Sequence, residues 1–201
     1  NSPFFPKIQF STALHYLETI SSPDFPVWKD ELYLQFHRGC YTTHGDQKYF
    51  NRYSENLLYQ AELWASLASI SLGIDYPEKP LEMAWKKVLL YQFHDILPGT
   101  SIPEVFAEAN QDWQGAITTG EKVLISSLKA IAESISWDAL SVDNAQALVI
   151  FNSLNWERSQ IVELEIKDQN IKVYDQEKGE LRTQISKDNN LIFFAEDIPS
   201  I

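Results

Sequence analysis

Between residues 54 and 135 the apolar positions recur at steps of three and four, the spacing of one face of an α-helix. Leu57, Ala61, Trp64, Ala68 and Leu72 mark the buried stripe of a helix from about Ser54 to Leu72. Gly73 follows where a left-handed C-terminal cap belongs. Leu81, Trp85, Val88, Leu89, Gln92 and Phe93 form a second stripe. Its helix starts near Pro80 and ends at His94–Leu97, because Pro98-Gly99 cannot continue it. A third helix opens at Ser101-Ile102-Pro103-Glu104, which fits a capping box. It runs through Phe106, Ala109, Trp113, Ala116, Val123, Leu128, Ile131 and Ile135, with Gly115 and Gly120 marking a bend or a close helix approach.

On either side the period changes. After Trp137, apolar runs at 147–152, 161–166, 171–174, 181–185 and 191–195 read as strands. Val162, Leu164 and Ile166 alternate with Glu163 and Glu165, the pattern of a sheet with one wet face. Before the helices, residues 1–30 are proline-rich around a helix-like Ser11–Ile20, residues 31–36 read as a short strand, and 37–53 read as a structured loop. The predicted fold class is α+β: a three-helix bundle followed by the beginning of an antiparallel β-sandwich. The expected division is 1–50 as a linker and loop segment, 51–137 as the bundle, and 138–201 as the start of a β-domain.

Composition narrows what such a chain does. It is 44% hydrophobic, 13% aromatic and 22% charged, which sustains a packed core and excludes a disordered or fibrous chain. The net charge of −12 divides evenly about Ser136. A chain this acidic is repelled by a phosphate backbone, so nucleic acid is not expected as a partner. No uninterrupted apolar run exceeds five residues, far below the ~18 that a membrane helix needs, so no membrane partner is expected. Cys40 is the sole cysteine and there is no Asn-x-Ser/Thr sequon; both fit a cytoplasmic location. A start at Asn1 without Met and a stop just after a strand-like run and Pro199 lead us to expect part of a longer chain.

Phosphate-binding Gly-rich loops, nucleophile elbows and His-Glu-x-x-His are missing from the sequence. The histidines are His15, His37, His44 and His94. Two segments concentrate polar chemistry. Tyr91-Gln92-Phe93-His94-Asp95-Ile96-Leu97-Pro98-Gly99-Thr100 sets an imidazole beside a carboxylate at a helix end, before a rigid turn. That pair is either a functional site or a helix-end cation with a solvated neighbour. Phe36-His37-Arg38-Gly39-Cys40-Tyr41-Thr42-Thr43-His44 gathers donors, acceptors and aromatic faces that suit a carbohydrate, or else forms a hydrogen-bonded loop that packs on the bundle. The six tryptophans, at helix faces and element junctions, read mostly as core.

These segments, ELYLQFHRGCYTTHGDQKYFNR and QFHDILPGTSI, resemble the middle region of the family 38 glycoside hydrolases, the α-mannosidases. VIFNSLNWERSQIVEL is similar to the first strands of that family's C-terminal β region, and FSTALHYLETI…FPVWKDELYL to the segment that leaves its catalytic domain. The resemblance implies a zinc-dependent, retaining exo-glycosidase acting on mannose-containing oligosaccharides or mannosides. It further implies that this chain is a fragment of that multidomain enzyme, in contact with an N-terminal catalytic domain. Carried over residue by residue, it implies that His94 ligates zinc and that Asp95 lies at the sugar. It makes His37, Arg38 and Tyr41 candidate substrate contacts. The nucleophilic aspartate and the remaining zinc ligands belong to the family's N-terminal domain, so no catalytic nucleophile is expected within these residues. Asp30, Gln35 and Cys40 depart from the motif, where the family has Gly, Glu and Thr. The rival interpretation is a non-catalytic helical and β module that binds a carbohydrate or protein partner.

Overall fold

The computed structural model of the protein describes residues 4, 6–32, 35–136, 145–167 and 170–201. Two compact units emerge, Asn1–Arg38 and Gly39–Ile201. The first contains helix α1, Ala13–Ile20, whose N-terminus is capped by Thr12: its hydroxyl accepts from the His15 N–H at 3.2 Å. None of the α1 side chains is buried. The expected strand at 31–36 falls partly on Tyr33 and Leu34, outside the described residues. Gln35 and Phe36 instead open a 3-10 helix, Gln35–Tyr41, kinked at His37.

The second unit is built on helices α2 (Gly45–Leu72), α3 (Glu78–Tyr91) and α4 (Pro103–Ser134). Leu58, Ala61, Ala65, Leu81, Ala84, Val88, Tyr91, Ala109, Trp113, Ala116 and Val123 form one core cluster. The many alanines let the helix axes approach, and the fully buried Trp113 fills the space left between them. A side chain at Gly120 would put its Cβ 2.9 Å from Leu57 Cγ, so close approach of α2 and α4 is what requires glycine there. Gly73 adopts φ 69° and donates its N–H to Ser69 O, the left-handed cap expected of it.

Three helix boundaries differ from the expectation. Helix α2 begins at Gly45, not near Ser54, because buried Gln47 and Ser54 continue its inward face with polar side chains. Helix α3 stops at Tyr91, so His94 lies beyond it, and its inward face is Leu81, Ala84, Val88 and Tyr91, which leaves Leu89 and Phe93 of the expected stripe exposed. The capping box is not made: Ile102 is the N-cap of α4 and the Ser101 hydroxyl donates to Asp95 O at 2.6 Å instead.

Strands β1 (Arg158–Glu165), β5 (Asn190–Ile198) and β4 (Thr183–Ile185) form an antiparallel sheet in that order. Strands β2 (Val173–Asp175) and β3 (Gly179–Leu181) form a separate hairpin. The expected run at 181–185 is therefore split at Arg182 between two sheets. Residues 147–152 are irregular rather than a strand. Their anchors are Phe151, edge-on to Trp64 at 4.9 Å, and buried Asn152, whose amide donates to Trp156, Ile198 and Pro199 carbonyls. Tryptophan usage is mixed: Trp64 and Trp113 are core, Trp28 and Trp156 are exposed, and Trp137 lies outside the described residues.

Candidate active-site segment

The loop and the turn singled out in the sequence meet at the N-terminal end of α2. In the loop, Thr42 and Thr43 both donate their N–H to Gly39 O, at 3.1 and 2.8 Å. His44 then takes up a left-handed conformation, φ 50°, and stacks its ring on Phe106 of α4 at 3.8 Å. This fixes where the loop enters the helix. Tyr41, just before the turn, is exposed.

Beyond α3 the chain winds through successive turns. Ile96 and Leu97 N–H groups donate to Phe93 O, and Gly99 N–H donates to Ile96 O. The Gln92 amide reaches across to Asn51 Oδ1 and Glu55 Oε1 on α2, at 3.0 and 2.8 Å. Ser101 and Thr100 hydroxyls both donate to Asp95 O, which anchors the peptide of that residue while leaving its carboxylate unconfined.

Gly99 is where loop and turn touch. Its φ is +87°, and a Cβ there would fall 2.9 Å from Thr43 O and 2.8 Å from Thr43 Cγ2. Both the backbone conformation and the close approach demand glycine. Lys48, in the first turn of α2, donates from Nζ to Thr43 O at 2.6 Å and to Leu97 O at 2.8 Å. One ammonium group thus ties both segments together.

His94 and Asp95 project from this junction. The side chain of His94 is 79% exposed and that of Asp95 59%, with His94 Nε2 3.6 Å from Asp95 Oδ2. The neighbouring Phe93 ring lies 4.3 Å from the imidazole. An exposed imidazole beside an exposed carboxylate can offer a nitrogen donor and two oxygen acceptors to a polar ligand or a cation. Among the described residues no group of three or more His, Cys, Asp or Glu gathers to hold a metal by itself. His37 and Arg38 belong to the other compact unit; His37 sits at the kink of the 3-10 helix, with φ −116° and ψ 25°. Of the departures from the family motif, Asp30 accepts the Glu31 N–H, Gln35 is exposed and Cys40 is half-buried.

Two polar features were not foreseen. Buried Gln47 accepts the Trp113 indole N–H at 2.8 Å and donates to Asn110 Oδ1 and Asp46 Oδ2. On the α3–α4 side, the Tyr91 hydroxyl donates to Asp112 Oδ2, and Lys87 pairs with Asp112 Oδ1 at 2.6 Å. Hydrogen bonds from Lys87 and Tyr91 hold the Asp112 carboxyl below the usual range, while burial and Asp112 push the Tyr91 hydroxyl well above its own. Both networks brace the bundle beneath the loop–turn junction.

The architecture is a long-helix bundle that presents a glycine-closed loop and turn and leads into an antiparallel sheet. Residues 35–131 match the α-mannosidase middle domain as a family. The human α-mannosidase 2C1 is 30% identical over 167 residues, which is 82% of this chain and 15% of that protein. The α-mannosidase of Saccharomyces cerevisiae is 42% identical over 85 residues, 41% of this chain and 8% of its own length. A family 38 glycosyl hydrolase from Enterococcus faecalis has the same fold with a TM-score of 0.64 at 18% identity, over 79% of this chain and 23% of that one. The chain belongs to the family 38 α-mannosidases, and its bundle is their middle domain. It spans about 15% of the length of the human relative.

Proposed function

We propose that this chain is the part of a retaining, zinc-dependent α-mannosidase that walls the sugar pocket and contributes to its metal site. The observation that carries this is the junction itself: Lys48 and Gly99 bring the loop with Tyr41 against the turn with His94 and Asp95, and both side chains of that turn stand in solvent. Their exposure means that neither is spent on the core.

The donor chemistry fits a shared zinc site and not a self-sufficient one. Zinc takes about four nitrogen, sulfur or oxygen ligands. Here His94 supplies one imidazole nitrogen, with an Asp95 oxygen 3.6 Å away. When bound, zinc supplies a Lewis-acidic anchor for neighbouring sugar hydroxyls. The residues of the chain do the rest of what is assigned to it. Asp95 accepts hydrogen bonds from mannose hydroxyls, and Tyr41 offers a hydroxyl and an aromatic face. His37 and Arg38 are assigned substrate contacts on the motif alone. A retaining glycosidase also needs a nucleophilic carboxylate and an acid/base about 5 Å apart across the scissile bond. In the family the nucleophile lies in the N-terminal domain, so these 201 residues alone should bind weakly and turn over nothing.

The test is His94→Ala in the intact protein, with an aryl α-mannoside as substrate and zinc content measured on the same preparation. Loss of turnover and of zinc is expected, with melting unchanged when variant and parent are compared free of metal. Near-normal turnover with zinc retained would retire the assignment. Stoichiometric zinc in the isolated 201 residues after dialysis would mean that the other ligands have been misplaced.

A further inference from the structure

Lys48 stands where helix electrostatics do not favour it. It lies in the first turn of α2, at the positive end of the helix dipole, where a cation is disfavoured and a carboxylate preferred. Its side chain is half-buried, and its ammonium is directed at two main-chain carbonyls. Thr43 O belongs to the loop that precedes α2, and Leu97 O to the turn that follows α3, 49 residues away from Lys48 in sequence. Charge-assisted bonds of this kind are shorter and stronger than neutral ones. A flexible lysine stem is a poor structural filler but a good bridge between two carbonyls that no regular element would join.

The contact at Gly99 gives the bridge its consequence. The turn can approach Thr43 only because residue 99 has no side chain, and nothing in that van der Waals contact has directionality. Lys48 adds the directional part. Within that turn Asp95 O accepts from Ser101 and Thr100, and Phe93 O from the Ile96 and Leu97 N–H groups, so residues 94–95 are tied at both ends to the segment that Lys48 and Gly99 hold.

We propose that Lys48 is a positioning residue: it locks the 94–100 turn to the 39–44 loop, and so holds His94 and Asp95 in the single orientation the sugar site uses. Its effect on turnover rests on the α-mannosidase assignment above; its effect on the turn does not.

The test compares Lys48→Met and Lys48→Arg with the parent in the intact protein. Amide hydrogen exchange is followed at Ile96, Leu97 and Gly99 and, as core controls, at Leu58, Val88 and Trp113. The Met variant should speed exchange in the turn about tenfold while the core amides keep their rates. It should lower kcat for an aryl α-mannoside about tenfold or more, with KM little changed, since misplaced groups cost most at the transition state. The Arg variant, still able to donate to both carbonyls, should recover part of each effect. Unchanged exchange in the turn, or a uniform rise that includes the core, would overturn the lock. Faster exchange in the turn with full turnover would overturn its role in positioning while leaving the α-mannosidase assignment intact. A parent protein without mannosidase activity would overturn that assignment, and the exchange rates would still decide the lock.

Discussion

The interior of the bundle and the loop–turn junction at its end are opposite solutions from one stretch of chain. In the interior, Trp113 is fully enclosed, its N–H is satisfied by Gln47, and the helices around it are kept close by alanine. At the junction, close approach comes from Gly99 and a lysine bridge, while His94 and Asp95 point outward and bury little. Side chains of the first kind hold the fold and leave nothing free to react. Those of the second kind are held by the fold and remain free. The difference predicts which substitutions unfold the protein and which only disarm it.

The largest effect should come from Trp113→Ala, which opens a cavity at the centre and strands the Gln47 amide. A loss of about 4 kcal/mol in denaturant unfolding is expected, and a loss below about 1 kcal/mol would mean that the bundle is not packed around this residue. Gly99→Ala should follow, at about 2–3 kcal/mol, because the new Cβ meets Thr43 main chain in a left-handed conformation. Unlike Trp113→Ala it should also perturb exchange locally in the turn, which native-state exchange can detect. Gln47→Leu should cost about 1–2 kcal/mol by leaving the indole N–H without its acceptor, and a stabilised variant would show that the buried amide is dispensable.

A smaller effect concerns pH. The Asp112 carboxyl is depressed in the folded protein, below its ordinary value of 3.8, chiefly by hydrogen bonds from Lys87 and Tyr91. A depressed carboxyl contributes its stability fully above the unfolded-state pKa and loses it as pH falls through the folded one. The melting temperature of the parent should therefore fall more steeply below about pH 4 than that of Asp112→Asn, and parallel acid limbs would remove this pair from the account.

What could be read from the sequence tracks the same division. Leu57, Ala61, Trp64 and Ala68, or Phe106, Ala109, Trp113 and Ala116, announce their helices because an apolar stripe is a local signal. The beginning of α2 was hidden because its inward positions are Gln47 and Ser54, which carry helical spacing without hydrophobicity. Helix α1 shows the converse limit: Leu14, Leu17 and Ile20 make an amphipathic face in the sequence, yet all are exposed within its unit. Periodicity says that a face exists and not what covers it. The roles proposed for His94 and Asp95 come only from the family motif, since an exposed His-Asp pair has no spacing of its own. Lys48 was not legible at all, because its partners are main-chain carbonyls of Thr43 and Leu97, which any residue would present.

The smallest expected effect on stability is also the sharpest test. With 79% of its side chain exposed, His94 contributes little packing, so His94→Ala should change the unfolding free energy of the metal-free protein by less than about 0.5 kcal/mol. In the intact protein the same change should lower kcat/KM for an aryl α-mannoside by at least about a hundredfold, the loss expected when a ligand of a catalytic metal is removed. Stability and kcat/KM measured side by side on that variant test the central claim directly. Unaltered metal-free melting with collapsed turnover is the predicted result; lowered metal-free melting with turnover retained would place His94 among the residues that hold the fold and contradict the place proposed for it in the sugar site.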